Sequence, residues 1–245
     1  CSLPAKVHGT VSVGVSHNGV DVQAMTLRYE YGAARTIVDI TPSRGPSRGG
    51  VSISVTGVGL ESESGQYMCL YGMESVAGRY LRPNVIVCES PAGSVAGSMV
   101  NVMLTLDKEL VSGVQRFETY AEPRVAGLVP SRGNVNGGTF VSVLGSSFGG
   151  AGVQCRFGSQ KVSGSGARLV SSTLVACRVP PGELGESVSL EISLNDGFDF
   201  SVDGKTFLYG RGTTVDLVRP SQALAGVSGQ AVTVVGRHFE ATREL

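Results

Sequence analysis

The chain has no tryptophan, three histidines and, among its twenty basic residues, only four lysines. It contains no Asn-x-Ser/Thr sequon, no apolar run long enough to cross a membrane as a helix, and no excess charge of either sign. Each absence removes a class of protein. Twenty basic residues against twenty acidic ones leave no basic face for binding nucleic acid in general. His8, His17 and His238 share no metal-ligand spacing, and no Gly-x-Ser-x-Gly elbow supplies a serine nucleophile. The glycine turns at Gly49 and Gly137 lack the Lys-Ser/Thr of a phosphate loop. Windows with a 3.6-residue apolar period are missing, which excludes a helix-rich fold. No catalytic residue, cofactor or metal site is expected. Asp196, Asp199 and Asp203 are the one acidic group that resembles a Ca²⁺ loop, and they read better as a polar hairpin.

What is present is valine, glycine and repetition. Val occurs 36 times and Gly 35 times in 245 residues, the composition of short strands and tight turns. Cys1-Ser-Leu-Pro4, Cys88-Glu-Ser-Pro91 and Cys177-Arg-Val-Pro180 share C-x-x-P at intervals of 87 and 89. Pro42-Ser43-Arg44-Gly45 with Gly49-Gly50 returns as Pro130-Ser131-Arg132-Gly133 with Gly137-Gly138, and more loosely as Pro220-Ser221 with Gly226 and Gly229. Tyr31, Tyr120 and Tyr209 form a third mark, each 89 residues from the last. The ruler divides the chain into the back of one unit (1–34), two whole units (35–122 and 123–212) and the front of another (213–245). A chain delimited inside units reads as a segment of a longer array.

Within a unit the apolar residues alternate with period two. Examples are Val11/Val13/Val15, Val51/Ile53/Val55, Val100/Val102/Leu104/Leu106, Val188/Leu190/Ile192/Leu194 and Val232/Val234, with Phe140/Val143 as a looser version. That is the pattern of half-buried strands, and about seven of them in roughly 90 residues suggest a two-sheet antiparallel sandwich. Asn18-Gly19 and Asp196-Gly197 mark hairpin turns. Cys69 and Cys88 are 19 apart in one unit, and Cys155 and Cys177 are 22 apart in the next. The simplest pairing is within units, which leaves Cys1 unpaired in this segment. Two disulfides imply an oxidising compartment.

The order of proline turn, Gly-Gly, strand, glycine, Cys-x-aromatic-Gly, apolar-Cys-x-x-Pro and closing aromatic strand resembles the IPT/TIG domain. The residues that carry it are Pro42, Gly49, Gly50, Gly57, Cys69, Tyr71, Gly72, Cys88 and Pro91, and then Pro130, Gly137, Gly138, Gly145, Cys155, Phe157, Gly158, Cys177 and Pro180. The resemblance implies an all-β protein of tandem immunoglobulin-like sandwiches outside the cell, such as occur in plexins, scatter-factor receptors and fibrocystin-like surface proteins. The first expectation is a structural or adhesive stretch of a rod or surface filament, flagellar hairs included, packed against neighbouring copies. Contacts would centre on Arg44 and Arg132, with protein or glycan ligands as further partners. The alternative is the stalk of a plexin-like or scatter-factor-receptor-like ectodomain that binds a protein ligand.

Overall fold

The computed structural model describes residues 9–32, 34–61, 63–223, 225–226 and 228–239. The chain divides into two compact units, one ending at Thr119 and the other beginning at Tyr120, with Gly45–Ser47 grouped with the second. Strand dominates, and among the described residues the one helix is a three-residue 3-10 turn, Gly164–Gly166.

The first unit opens with the hairpin β1 (Gly9–Ser16) and β2 (Val22–Tyr31). Its turn is held by Asn18, whose Oδ1 accepts the N–H groups of Val20 and Asp21 at 3.0 and 2.8 Å. A complete sandwich follows: β3 (Thr36–Thr41), β4 (Arg44–Pro46), β5 (Ser52–Val58), β6 (Tyr67–Tyr71), β7 (Glu74–Arg82), β8 (Val85–Glu89), β9 (Met99–Leu106) and β10 (Glu109–Tyr120). They hydrogen-bond in the order β3-β5-β8-β7-β6-β9-β10-β4. β7 serves both layers, pairing with β6 over Glu74–Gly78 and with β8 over Arg79–Arg82. Gly78 stands at the crossing. A Cβ there would lie 2.9 Å from Ile86 Cγ2 and 3.0 Å from Tyr67 Cβ, so only glycine lets the strand change partners without a shift.

The second sandwich comprises β11 (Arg124–Val129), β12 (Arg132–Asn134), β13 (Phe140–Ser146), β14 (Gln154–Phe157), β15 (Gln160–Val162), β16 (Ala167–Ser171), β17 (Leu174–Arg178), β18 (Ser187–Ser193) and β19 (Lys205–Gly210). The 3-10 turn interrupts the counterpart of β7. The layers therefore stay separate, as β11-β13-β17-β16 and β12-β19-β18-β14-β15. β20 (Thr214–Arg219) and β21 (Thr233–Arg237) follow as an antiparallel pair.

Period-two burial holds where the sequence shows it most clearly. Ile53 and Val55, Val102 and Leu104, and Leu190 and Ile192 are fully buried and belong to two separate cores. On β13 the inward residues are Val141 and Val143. Phe140, read above as inward, is 57 % exposed, because the strand faces alternate and Val143 fixes the phase.

The repeat is repeated geometry. β3–β5, β11–β13 and β20–β21 each carry a bulge near their start, between Ile37 and Asp39, Val125 and Gly127, and Val215 and Leu217. Opposite each bulge stands a glycine: Gly57, Gly145 or Gly236. A Cβ on any of them would strike the carbonyl oxygen of Thr36, Arg124 or Thr214, and Leu60, Phe148 or Phe239 lies over the bare Cα. The Gly-Gly turn and the C-x-x-P motif prove to be one element. Gly49 has φ +73°, and its Cβ would fall 2.5 Å from the Pro91 carbonyl carbon; Gly137 has φ +70° and 2.7 Å to that of Pro180. Gly50 N–H donates to Ser90 O, and Gly138 N–H to Val179 O, both at 2.9 Å.

The tyrosine mark needs one correction. Gly97 N–H donates to Thr119 O and Gly185 N–H to Tyr209 O, while Ser47 N–H donates to Tyr120 O and Val135 N–H to Gly210 O. Tyr209 is thus the counterpart of Thr119, and Tyr120 that of Gly210. The 89-residue coincidence joins two tyrosines on successive positions of the closing strand.

Replacing Gly137 with alanine should destabilise the second domain by about 2 kcal/mol, from a left-handed backbone and a backbone clash together. Gly138→Ala has a similar φ but meets only the Arg178 guanidinium, at 4.0 Å, and should cost about half as much. Urea unfolding of the two variants checks the order.

Candidate binding surface

The cysteines lie inside the cores. Cys69 on β6 bonds Cys88 on β8 with Cα atoms 6.3 Å apart, and Cys155 on β14 bonds Cys177 on β17 at 6.1 Å. All four are buried. The second bridge ties the five-stranded layer to the four-stranded one. Cys1 lies outside the described residues. Around the first bridge, Tyr67 and Tyr71 bury hydroxyls with no hydrogen-bond partner among the described residues. Burial pushes the Tyr71 phenol far above its ordinary value. These are packing groups, set away from water.

The two arginine turns have different surroundings. Arg44 reaches Glu118 at 3.5 Å, and its side chain is largely covered. In the second domain Arg132 pairs in register with Leu208, the position that Glu118 holds in the first. Arg132 lines an open cleft of about 370 Å³ with Asn134, Thr139, Arg211 and His238. Arg44 belongs to the first compact unit and Arg132 to the second.

The main difference between the domains is the connection before the closing strand. In the first it is a two-residue turn, Asp107-Lys108, with both residues at positive φ. In the second it is a loop, Leu194–Gly204, that folds back over the outer face of its own sheet. Its polar groups are extensively paired. Ser193 Oγ accepts the N–H of Gly197 at 2.9 Å and donates to Asn195 Oδ1 at 2.9 Å. Asn195 Oδ1 accepts the N–H of Asp199 at 3.1 Å. Ser201 exchanges two hydrogen bonds with the Ile192 backbone. Phe200 is buried under Arg156, whose guanidinium carbon is 4.1 Å from the ring centroid and which also pairs with Glu191.

This loop accounts for the three aspartates. Asp199 Oδ1 accepts the Tyr120 hydroxyl at 3.0 Å, Asp203 Oδ1 accepts the Val125 N–H at 3.1 Å, and Asp196 sits at the turn with φ +60°. They fasten a loop, and among the described residues no group of three or more His, Cys, Asp and Glu is placed to hold a metal ion. The Asp-Gly signal marks the turn at its start, but no local pattern shows that the connection continues to Gly204 before the strand resumes.

Replacing both Cys155 and Cys177 with alanine should lower the stability of the second domain by about 3 kcal/mol, the chain-entropy value for a loop of this length. Comparing urea unfolding of the variant with the parent tests it, and an unchanged midpoint would show that the bridge contributes nothing.

The IPT/TIG domain family model matches residues 36–119 and 123–209. Zebrafish Plexin-A4 is 29 % identical over 170 residues, covering 66 % of this chain and 8 % of that protein. Human fibrocystin-L is 30 % identical over 155 residues, covering 60 % of this chain and 4 % of that protein. Among solved structures, the full extracellular region of Plexin A4 is similar over 76 % of this chain and 16 % of that one, at 22 % identity and a TM-score of 0.46. The chain thus spans less than a tenth of these curated relatives. With two matched segments that each hold their own core and bridge, the chain is a set of non-catalytic β-sandwich domains and belongs to the IPT/TIG domain family.

Proposed function

We propose that the chain is a stretch of the extracellular stalk of a plexin-like cell-surface receptor, in which tandem non-catalytic sandwiches carry a protein-binding region away from the membrane. The observation that carries this reading is a pair of matched IPT/TIG domains, each with a buried intradomain disulfide, in a chain whose relatives include several plexins. The bridges Cys69–Cys88 and Cys155–Cys177 suit an oxidising exterior. The unit boundaries belong to the proposal: 35–122 and 123–212 as whole domains, 1–34 as the back of one and 213–245 as the front of another. The register shared by β3–β5, β11–β13 and β20–β21 supports the last of these. Arg44 and Arg132 are proposed as contact positions, Arg132 from the rim of its cleft. The plexin relatives favour the stalk over the surface filament.

Surface biotinylation of the native full-length protein, followed by extraction, tests the reading. Labelling from outside the cell, release only by detergent, and linked Cys69–Cys88 and Cys155–Cys177 peptides in a non-reducing digest are expected. A sedimenting polymer released by chaotrope without detergent would favour the filament, and an unlabelled protein with four free thiols would remove both.

A further inference from the structure

Two surface features have no part in a plain spacer. The first is the tip of loop Leu194–Gly204. Its hydrogen bonds fix the backbone, and Phe200 is clamped under Arg156, yet Phe198 remains 52 % exposed and Val202 74 %. An aromatic ring held in water on a preorganised loop has the form of a binding anchor, because little ordering entropy remains to be lost on contact. The loop contains Asp196, Asp199 and Asp203 and no basic residue. Behind its tip the exposed Lys161 donates to Gly197 O at 2.9 Å. The anchor therefore carries carboxylates on the loop and an ammonium at its base.

The second feature is a groove of about 520 Å³ on the first domain, along β5, β7 and β8. Val76, Ala77, Val87 and Pro91 supply apolar walls, and the exposed Arg79 and Glu89 supply one charge of each sign. A phenyl ring fits this volume. The charges match those around Phe198 in the opposite sense, Arg79 for Asp196 and Glu89 for Lys161.

We propose that Phe198 of one copy of this chain seats in the Val76–Val87–Pro91 groove of a second copy, with Asp196 meeting Arg79 and Lys161 meeting Glu89. Anchor and groove are different surfaces, so the contact is heterologous. It closes into a ring where the rotation between copies permits, and otherwise runs on as an open row. The contact goes beyond the stalk reading and does not depend on it, since either a receptor stalk or a filament could use it.

Sedimentation velocity on the 245-residue chain, over a concentration series at two salt concentrations, tests the contact. Reversible association that weakens with salt is expected. Phe198→Ser should weaken it about thirtyfold, the loss typical of an anchoring aromatic. Arg79→Glu should weaken it too, and adding Asp196→Arg to Arg79→Glu should restore it. The side chains are exposed, so circular dichroism should stay unchanged and confirm that the variants fold. A chain that stays monomeric at about 100 μM overturns the proposal and leaves the stalk reading intact. Association that survives both Phe198→Ser and Arg79→Glu, as contact through the exposed valines of β20 and β21 would, also overturns it.

Discussion

The fold depends on backbone meeting backbone with no side chain between. At Gly49 and Gly137 the chain turns with positive φ and lies directly on the peptide that follows the C-x-x-P proline, Pro91 or Pro180. At Gly57 and Gly145 it lies on the carbonyl opposite a bulge. Both contacts fix the strand between them, β5 or β13, which is an inner strand of its sheet, flanked by β3 and β8 or by β11 and β17. The turn sets where that strand begins, and the bulge sets its phase. The cysteine at the end of β8 or β17 then pairs with β5 or β13 in a fixed register, Ile53 opposite Cys88 and Val141 opposite Cys177. Burial of the alternate valines and isoleucines supplies the driving force. The glycines decide which alternate set is buried, because a slip of one residue would turn every side chain over.

Much of this was legible in the sequence because the constraints recur. A single glycine says little, but Gly49 and Gly137 at one phase of a period, each answered by a C-x-x-P, point to one packed element. The strands around Val55, Leu104 and Ile192 were legible for the same reason: their burial follows from local alternation. Phe140 was misread because its neighbour Val141 carries the inward role, and a single aromatic outweighed the phase set by Val143. Tyr120 and Tyr209 were equated because the second unit has two more residues than the first between its arginine turn and its closing strand, so true counterparts such as Thr119 and Tyr209 are 90 apart and not 89. Periodic spacing cannot show which of two adjacent residues points inward.

The surface features were not legible, because they arise where the two domains diverge. Leu70 and Met103 stand where Arg156 and Glu191 stand in the second domain, as the matched pairings of β6 with β9 and β14 with β18 show. The first domain closes its last hairpin in two residues and leaves that face to half-buried apolar side chains. The second covers it with Phe200, a cation above the ring and a carboxylate beside the cation. Phe200 and Glu191 are 9 residues apart and Arg156 is 35 from Glu191, so no local pattern joins them. The same loop carries Phe198 at its tip, so the covering of one face and the display of the anchor have a common origin.

Tyr120 has a consequence for how the protein can be divided. It is the last residue of β10, yet its ring belongs to the second core and its hydroxyl to Asp199. The segment that the family model recognises starts three residues later, at 123. The repeating unit of sequence and the cooperative unit of folding are therefore offset. A second domain excised at the repeat boundary would lack a wall of its own core and take one hydrogen-bond donor from the half-buried Asp199. Shuffling such domains by recombination would succeed or fail on which side of one tyrosine the junction falls.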